Sequence, residues 1–326
     1  MSKFELTELS RHDTIDRKLW LDFLSHSING TIFHSPQFLD YHQNTFQEHH
    51  LCILKKGQAF SILPMALREI DGKLQALSPY GASFGSALFK KSINYSDSKE
   101  LIEHLLDYLS SKNISEFKIT PPNPVYFLEH SESFELALLN SGFRLSNLDI
   151  SNIIGISSSS NGYITYKQKL KDLERKSRKS TDLGVSINLN GTLEEFWPVL
   201  MKTFQKHDTK PTHSKEELKH LIDLLPTKTS FPLAKLDSKI IAGLFCIDVN
   251  PKVVMTFYIC SDPEFNQTQA QTLLISSVVK AACDKGFSYL DLGTSSVNMK
   301  PRENIFKFKE SLGAVGSFRK TYIREL

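Results

Sequence analysis

The sequence predicts an α/β protein with mixed sheets, arranged as two domains in tandem. Three observations carry this. Apolar strands and amphipathic helices alternate along the chain. Both halves repeat one order: helices, a meander of three antiparallel strands, a helix, a strand, a helix and a last strand. Between the halves the run SSSSNG, Ser157 to Gly162, interrupts the periodicity in the way a linker does. The expected domains are 1–156 and 166–326, with 157–165 as the linker. Short turns imply antiparallel pairing within each meander, and the later strand–helix–strand steps imply parallel crossovers.

The bulk composition fits this reading. A chain of 326 residues, 40% hydrophobic and 23% charged, can fill two cores and is far from the composition of a disordered segment. A net charge of +3 is too small to announce a nucleic-acid surface, so any basic patch must be local. The start, MSKFELTELSRHDTIDRKLW, is polar and amphipathic and does not read as a signal peptide. No stretch reaches the ~18 apolar residues of a membrane span, so a cytoplasmic protein without a span is expected. Cys52, Cys246, Cys260 and Cys283 sit among apolar neighbours without a C-x-x-C pair and read as reduced core residues. His49 and His50 precede a strand and read as surface residues, not metal ligands.

In the first half, Pro36 opens a helix within TIFHSPQFLDYHQ. HLCILKKG and AFSILPMALREIDG read as two neighbouring strands, and QALSPYGASFG as a third that ends in a loop with Gly81 and Gly85. SDSKELIEHLLDYLSSKN is a helix with Leu101, Ile102, Leu105 and Leu109 as its apolar stripe, capped by Ser96 or Asp97. A strand EFKIT, a turn PPNP, a helix ending at Gly142 and a strand LDISNIIGI close the half. In the second half, the helix YKQKLKDLERKSRKSTDLG is followed by a strand VSINL and two helices, LEEFWPVLMKTFQK and SKEELKHLIDLLP. The meander FPLAKLD, KIIAGLFCIDV, KVVMTFYIC comes next, then a long helix, QAQTLLISSVVKAACDKG. The strand YLDL runs into the turn Gly293-Thr294-Ser295-Ser296, and a helix and a final strand GSFRKTYIREL complete the chain.

Candidate chemistry concentrates in the second half. In the helix after YLDLGTSS, Ile305, Phe308 and Leu312 share one face, Lys309 falls beside it, and Lys307 falls opposite near Glu310. Lys307 is therefore expected in solvent. Lys309 must lie along apolar side chains, either snorkelling or aimed into a cleft. In the first helix of this half, Lys167, Lys171, Arg175 and Arg178 form one stripe, and four like charges so placed call for an anion such as phosphate or for solvent. The loop SDPEFNQTQAQ leads into a helix N-terminus that suits an anion, with Asn266 or Thr268 as cap. His207, Asp208 and His213 read as a substrate-contacting loop; Asp291 reads as a base or as a tether for its turn. Neither G-x-x-x-x-G-K-[ST] nor G-x-G-x-x-G occurs.

The segments TIFHSPQFL, YLDLGTSS and FKFKESLGA, in this order and spacing, together with KLKDLERKSRKSTDLGV, resemble the Fem-like branch of the GNAT acyltransferase superfamily. The resemblance covers nearly the whole chain. It implies two tandem GNAT-like domains, the second carrying the transfer site. It also implies metal-free transfer of an acyl or aminoacyl group to an amine, with no tightly bound cofactor. Acyl-CoA or aminoacyl-tRNA would be the co-substrate, and a small molecule or a cell-wall (peptidoglycan) precursor the acceptor. The superfamily grips its donor at a β-bulge and the following helix start, which maps to Tyr258, Asn266, Gln267, Thr268, Gln269 and Ala270. The superfamily pattern [QR]-x-x-G-x-[GA] is absent there, the residues being NQTQAQT, which favours an aminoacyl-tRNA donor or a non-catalytic binding protein. The family's late FK pair falls on Phe308 and Lys309, with Lys309 steadying the charge of the reacting ester. Phe33, His34 and Tyr80 are the implied acceptor contacts of the first domain, with His207 and Ser295 those of the second. Three readings follow: an acyl-CoA transferase, a tRNA-dependent aminoacyltransferase, and a ligand-binding protein on the same scaffold.

Overall fold

The computed structural model describes residues 3–43, 45–156, 166–206 and 208–326, without the side chains of 166–170. The expected linker 157–165, His207 and the side chain of Lys167 lie outside the described residues. In chain order the elements begin with β1 (Phe4–Leu9), α1 (Thr14–Ser25), α2 (Pro36–Asp40), β2 (Gln47–Glu48), β3 (His50–Lys55), β4 (Gln58–Leu63) and β5 (Ala66–Ile70). Next are β6 (Lys73–Ser78), α3 (Tyr95–Ser111), β7 (Glu116–Ile119), α4 (Ser133–Asn140), β8 (Arg144–Gly155), α5 (Tyr166–Asp182), β9 (Ser186–Gly191) and α6 (Leu193–Gln205). The remainder are α7 (Lys215–Leu224), β10 (Thr229–Leu236), β11 (Lys239–Asn250), β12 (Val253–Ser261), α8 (Ala270–Asp284), β13 (Tyr289–Thr294), β14 (Ser296–Val297), β15 (Lys300–Pro301), α9 (Glu303–Ser311) and β16 (Val315–Glu325).

The chain forms two units, Met1–Asp149 with Phe318–Leu326, and Ile150–Ser317. These bounds differ from 1–156 and 166–326 for reasons of pairing. Ile153 and Ile154 ladder with Asp291 and Leu290 of the second unit. At the C-terminus, Tyr322, Ile323, Arg324 and Glu325 ladder with Ile119, Lys118, Phe117 and Glu116 of the first.

In the first unit one sheet has the order β1-β3-β4 and a second runs β2-β5-β6-β7-β16. AFSILPMALREIDG, expected as one strand, is two. Pro64 stands between β4 and β5 and has no N–H to give to a ladder, so the chain changes sheet there: β4 pairs with β3 and β5 with β6. β1 was not expected; FELTEL buries Phe4 and Leu9 at its ends. The α3 cap is Asn94, two or three residues before the expected caps, because the Asn94 side chain accepts from the Asp97 N–H. Its stripe of Leu101, Ile102, Leu105 and Leu109 is buried against Leu51, Ile53 and Phe117.

His50 is buried, not on the surface. Its ring meets Trp20 edge-on at 4.8 Å, and its Nε2 lies 3.4 Å from the Glu48 carboxylate. Arg11, 3% exposed, donates to both Glu48 oxygens at 2.7 Å, to Asp40 and to the Gln43 carbonyl. Burial pushes the Glu48 carboxyl up, but hydrogen bonds from His50 and Arg11 outweigh it and hold the group down at about 2.

In the second unit the order is β8-β13-β12-β11-β10-β9, with β14-β15 as a separate hairpin. α5 and α8 cover one face, where Leu173, Leu274 and Ile275 meet Leu244, Val254 and Leu290. α6 covers the other. There Phe196 packs on Phe231, which stacks on Phe245 at 4.9 Å. α6 opens with a capping box, Thr192 and Glu195, and carries Pro198 in its first turns. α8 is the crossover that makes β12 and β13 parallel. Among the described residues no helix is long and apolar enough to cross a membrane.

Arg11→Ala should leave the Glu48 carboxylate in a half-dry site without its cation. A loss of about 3 kcal/mol is expected, read as a lower urea midpoint with an unchanged slope.

Candidate active site

β12 and β13 pair only through Val253–Met255 and Tyr289–Asp291. Beyond that point β12 continues to Ser261 with β11 alone as its ladder neighbour. The two parallel strands therefore split in the middle of the sheet. Both walls of the split are irregular. On β12, Phe245 faces Tyr258 while Cys246 faces Thr256, so Phe257 is an extra, bulged residue. On β13 the register against β8 shifts between Asp291 and Thr294. Gly293 there has φ +76, and a Cβ would meet nothing closer than 3.7 Å. Backbone conformation, not space, is what requires glycine.

One cation occupies this point. Lys309 of α9 is 5% exposed, and its Nζ donates to the carbonyls of Gly293 and Thr294, both at 2.8 Å. Asp291, fully buried, accepts the Gly293 N–H at 2.7 Å through Oδ1 and so fixes the bulge. Burial lowers the Lys309 amine to about 8, and the Asp291 carboxylate opposes that fall. Lys307, by contrast, is exposed and lies 3.8 Å from Glu303. The two lysines differ because they fall on different faces of α9.

Next to the split, the segment from β12 to α8 folds without glycine. Gln269 takes the left-handed conformation, φ 57, and its side chain does not cap the helix. Thr268 is buried; its Oγ1 donates to Phe265 O at 2.7 Å and accepts the Ala270 N–H at 3.3 Å. Ser180 of α5 donates to the Thr268 carbonyl at 2.7 Å. A cavity of about 420 Å³ opens beside this turn, with Lys176, Asn266, Gln269, Gln271, Thr272 and Phe308 among its walls.

Residues 167–306 match a family model described as an acetyltransferase (GNAT) domain. Over the whole chain the structure is similar to FemX, with TM-score 0.72, 12% identity, and 99% of this chain and 97% of that one covered. The fold is that of a tandem GNAT protein. A tandem GNAT protein from the clavulanic acid biosynthesis pathway also shares it, at TM-score 0.56 and 10% identity over 99% and 98% of the two chains. So does L-PGS from Bacillus licheniformis, at TM-score 0.57 and 12% identity over 96% and 92%. No curated protein matches the chain in sequence.

In this fold the structure sorts the expected site residues. Asn266, Gln269, Ala270 and Phe308 line the cavity. Gln267 is exposed and Thr268 is spent on the turn, so neither forms its wall. Tyr258 is not at the cavity either; its hydroxyl lies 2.9 Å from His213 Nδ1. Of the basic stripe, Lys171, Arg175 and Arg178 are exposed and do not line the cavity, and Arg175 faces Asp172 at 3.7 Å. The α5 cation that does line the cavity is Lys176, which donates to the Ser311 carbonyl. It stands three residues after Leu173 and four before Ser180, both buried, and that spacing would have found it.

Of the expected acceptor residues, Phe33, His34, Tyr80 and Ser295 are buried. Ser295 is fully buried: its hydroxyl donates to Asn152 Oδ1 at 2.5 Å and its N–H to Ile150 O. It fastens the turn to β8 and offers nothing to a substrate. Asn152 itself, mid-strand on β8, was not anticipated. In the first unit Phe33 is a core ring between Phe38 and Phe84. His34 is fully buried between Thr31 and the Gly85 carbonyl, and burial pushes it down to about 4. Tyr80, 3% exposed, donates to Glu48. The resemblance implies these three as acceptor contacts; in the structure their side chains close the core.

Gly293→Ala would force a left-handed conformation on a residue with a Cβ. The expected cost is about 1–2 kcal/mol, seen as a lower melting temperature. Because the same carbonyl holds Lys309, the amine's titration midpoint should move as well, and NMR of the lysine side chain reads it.

Proposed function

We propose that the chain transfers an acyl group from an activated ester or thioester donor to an amine, and that the second unit carries the chemistry. The observation that bears the most weight is the buried Lys309 ammonium at the split of β12 and β13. An ammonium has three N–H donors, and the Gly293 and Thr294 carbonyls take two. The third remains for the oxygen of a donor carbonyl. When an amine attacks that carbonyl, charge develops on its oxygen. A fixed cation in a water-poor site stabilises that charge more than the neutral ground state, so it lowers the barrier. The GNAT domain match and the shared fold with FemX support transfer as the reaction class.

The donor would lie in the cavity beside α8, with Asn266, Gln269 and Phe308 at its wall and Lys176 as the nearby cation. An acyl-CoA is one candidate. A second candidate, an aminoacyl ester of tRNA acting on a small-molecule or cell-wall-precursor amine, is favoured by Thr268. Its hydroxyl occupies the Ala270 N–H, a group that a pyrophosphate at the helix start would otherwise use. Thermal-shift measurements with CoA, acetyl-CoA and a longer acyl-CoA, against bulk aminoacyl-tRNA and a UDP-linked peptide precursor, discriminate the two. Only the cognate class should raise the melting temperature in step with its concentration.

Lys309→Ala should lower kcat by about 10²–10³-fold, the range for loss of one oxyanion donor, with donor affinity nearly unchanged. In the wild type, kcat should fall as pH rises through about 8, where Lys309 loses its charge. Activity of the alanine variant equal to wild type would remove Lys309 from the mechanism.

A further inference from the structure

An amine that attacks an acyl carbon must shed a proton, and Asp291 is poorly placed to take it. It has no exposed surface, one of its oxygens holds the Gly293 N–H, and its charge balances Lys309. A base better placed than Asp291 would stand elsewhere on the walls of the split.

The two faces of the second unit's sheet differ here. Phe308 and the cavity lie on the α5–α8 side. Asp291 has Met255 as its ladder partner and so shares its face. Met255 in turn pairs with Ile247, two residues from Phe245 on the α6 side. Past the split, the bulge places both Phe257 and Tyr258 on that α6 side: Phe257 meets Phe245 at 5.8 Å and Tyr258 meets Phe204 of α6 at 6.1 Å. Tyr258 is about 6–7 Å along β12 from Thr256, whose carbonyl faces Gly293. The segment between α6 and α7 brings His213 over this bulge. Its ring packs on Phe257 at 5.3 Å, and its Nδ1 is 2.9 Å from the Tyr258 hydroxyl.

We propose that Tyr258 and His213 form the proton acceptor for the attacking amine, on the face of the sheet opposite the donor cavity. The inference rests on the acyl-transfer reading. The amine nitrogen's lone pair bonds to the acyl carbon, and the carbonyl π pair moves to oxygen beside Lys309. The nitrogen's proton passes to the Tyr258 oxygen while the Tyr258 proton passes to His213 Nδ1, leaving a neutral tyrosine and an imidazolium. The oxyanion then re-forms the carbonyl and expels the donor's oxygen or sulfur, which takes the proton from the imidazolium. No oxidant or metal enters the balance.

The surroundings agree with this role. Burial holds His213 below the ordinary histidine range, with Glu217 of α7 as the opposing charge, so the ring is neutral and able to accept at neutral pH. Burial raises the Tyr258 hydroxyl, and hydrogen bonds from the His213 backbone and from the backbone and side chain of Thr212 oppose that rise. The neutral ring can then accept through Nδ1 from the hydroxyl.

The test compares the full-length wild type with Tyr258→Phe, His213→Gln, the double variant and Lys309→Ala. Donors are acetyl-CoA, a longer acyl-CoA and bulk aminoacyl-tRNA; acceptors are a UDP-linked muramyl peptide and a panel of primary amines. Rates are followed from about pH 5 to 10, to expose both limbs of a bell-shaped profile. Each single variant should lose about 10²-fold in kcat, the lower end for general-base catalysis, and the double variant should lose no more than either single one. His213→Gln should also abolish the acid limb of the profile while leaving the alkaline limb set by Lys309. Melting temperatures establish that each variant is folded; should Tyr258→Phe unfold, the His213→Gln profile decides. If both variants keep wild-type rates and the acid limb while Lys309→Ala is inactive, the pair is not the base and acyl transfer stands. If the wild type transfers nothing from any donor, the acyl-transfer reading falls and takes the pair with it.

Discussion

The second unit depends on a ladder that stops early. β12 and β13 are parallel neighbours for three residue pairs and then separate. A sheet interrupted at its centre exposes backbone polar groups that must find other partners, because leaving them unpaired in the interior costs about 1–3 kcal/mol each. The surrounding residues answer that demand. Asp291 takes the N–H of Gly293, Lys309 takes the carbonyls of Gly293 and Thr294, and Ser295 takes the Ile150 carbonyl. Of these groups, Lys309 is also the one on which the proposed chemistry rests.

The central charge is not cheaply held. A lysine brought from 10.5 to about 8 corresponds to about 3 kcal/mol of preference for the neutral amine over that in water. The two carbonyls and the Asp291 carboxylate recover enough that the cation still dominates at neutral pH. A residue poised in this way is sensitive to its anchors, and Gly293, with its left-handed backbone, is the most exacting of them.

Much of this was legible from residue patterns. The face of α9 separated Lys309 from Lys307, because an amphipathic helix allows only one of them beside Ile305 and Phe308. The α3 stripe and the alternation of strands and helices were equally plain. What stayed hidden depends on partners distant in sequence. His213 reads in sequence as part of a substrate-contacting loop with His207 and Asp208, and its pairing with Tyr258 is hidden because Tyr258 is on another element. Phe33 and Tyr80 are acceptor contacts only by resemblance, and the sequence carries no mark of the core partners that bury them. Gln269 gave no sign of its left-handed backbone, which its residue type disfavours. Lys176 was overlooked in favour of a conspicuous stripe of charges, although its spacing from Leu173 and Ser180 placed it nearer the buried face.

The return of residues 318–326 to the first unit sets the order in which the protein can be completed during synthesis. β7 has β6 as one neighbour from early on, but its other neighbour is β16. The same strand brings Lys320 and Tyr322 to Glu135 of α4. The N-terminal unit therefore leaves the ribosome first and is finished after the second, with an open strand edge held until residues 318–326 emerge. The second unit is whole once Ser317 is out. A chain that must shield an unpaired edge through the synthesis of an entire second domain is exposed to edge-to-edge association for that interval. The burden on chaperones falls on the half that holds no candidate catalytic residue.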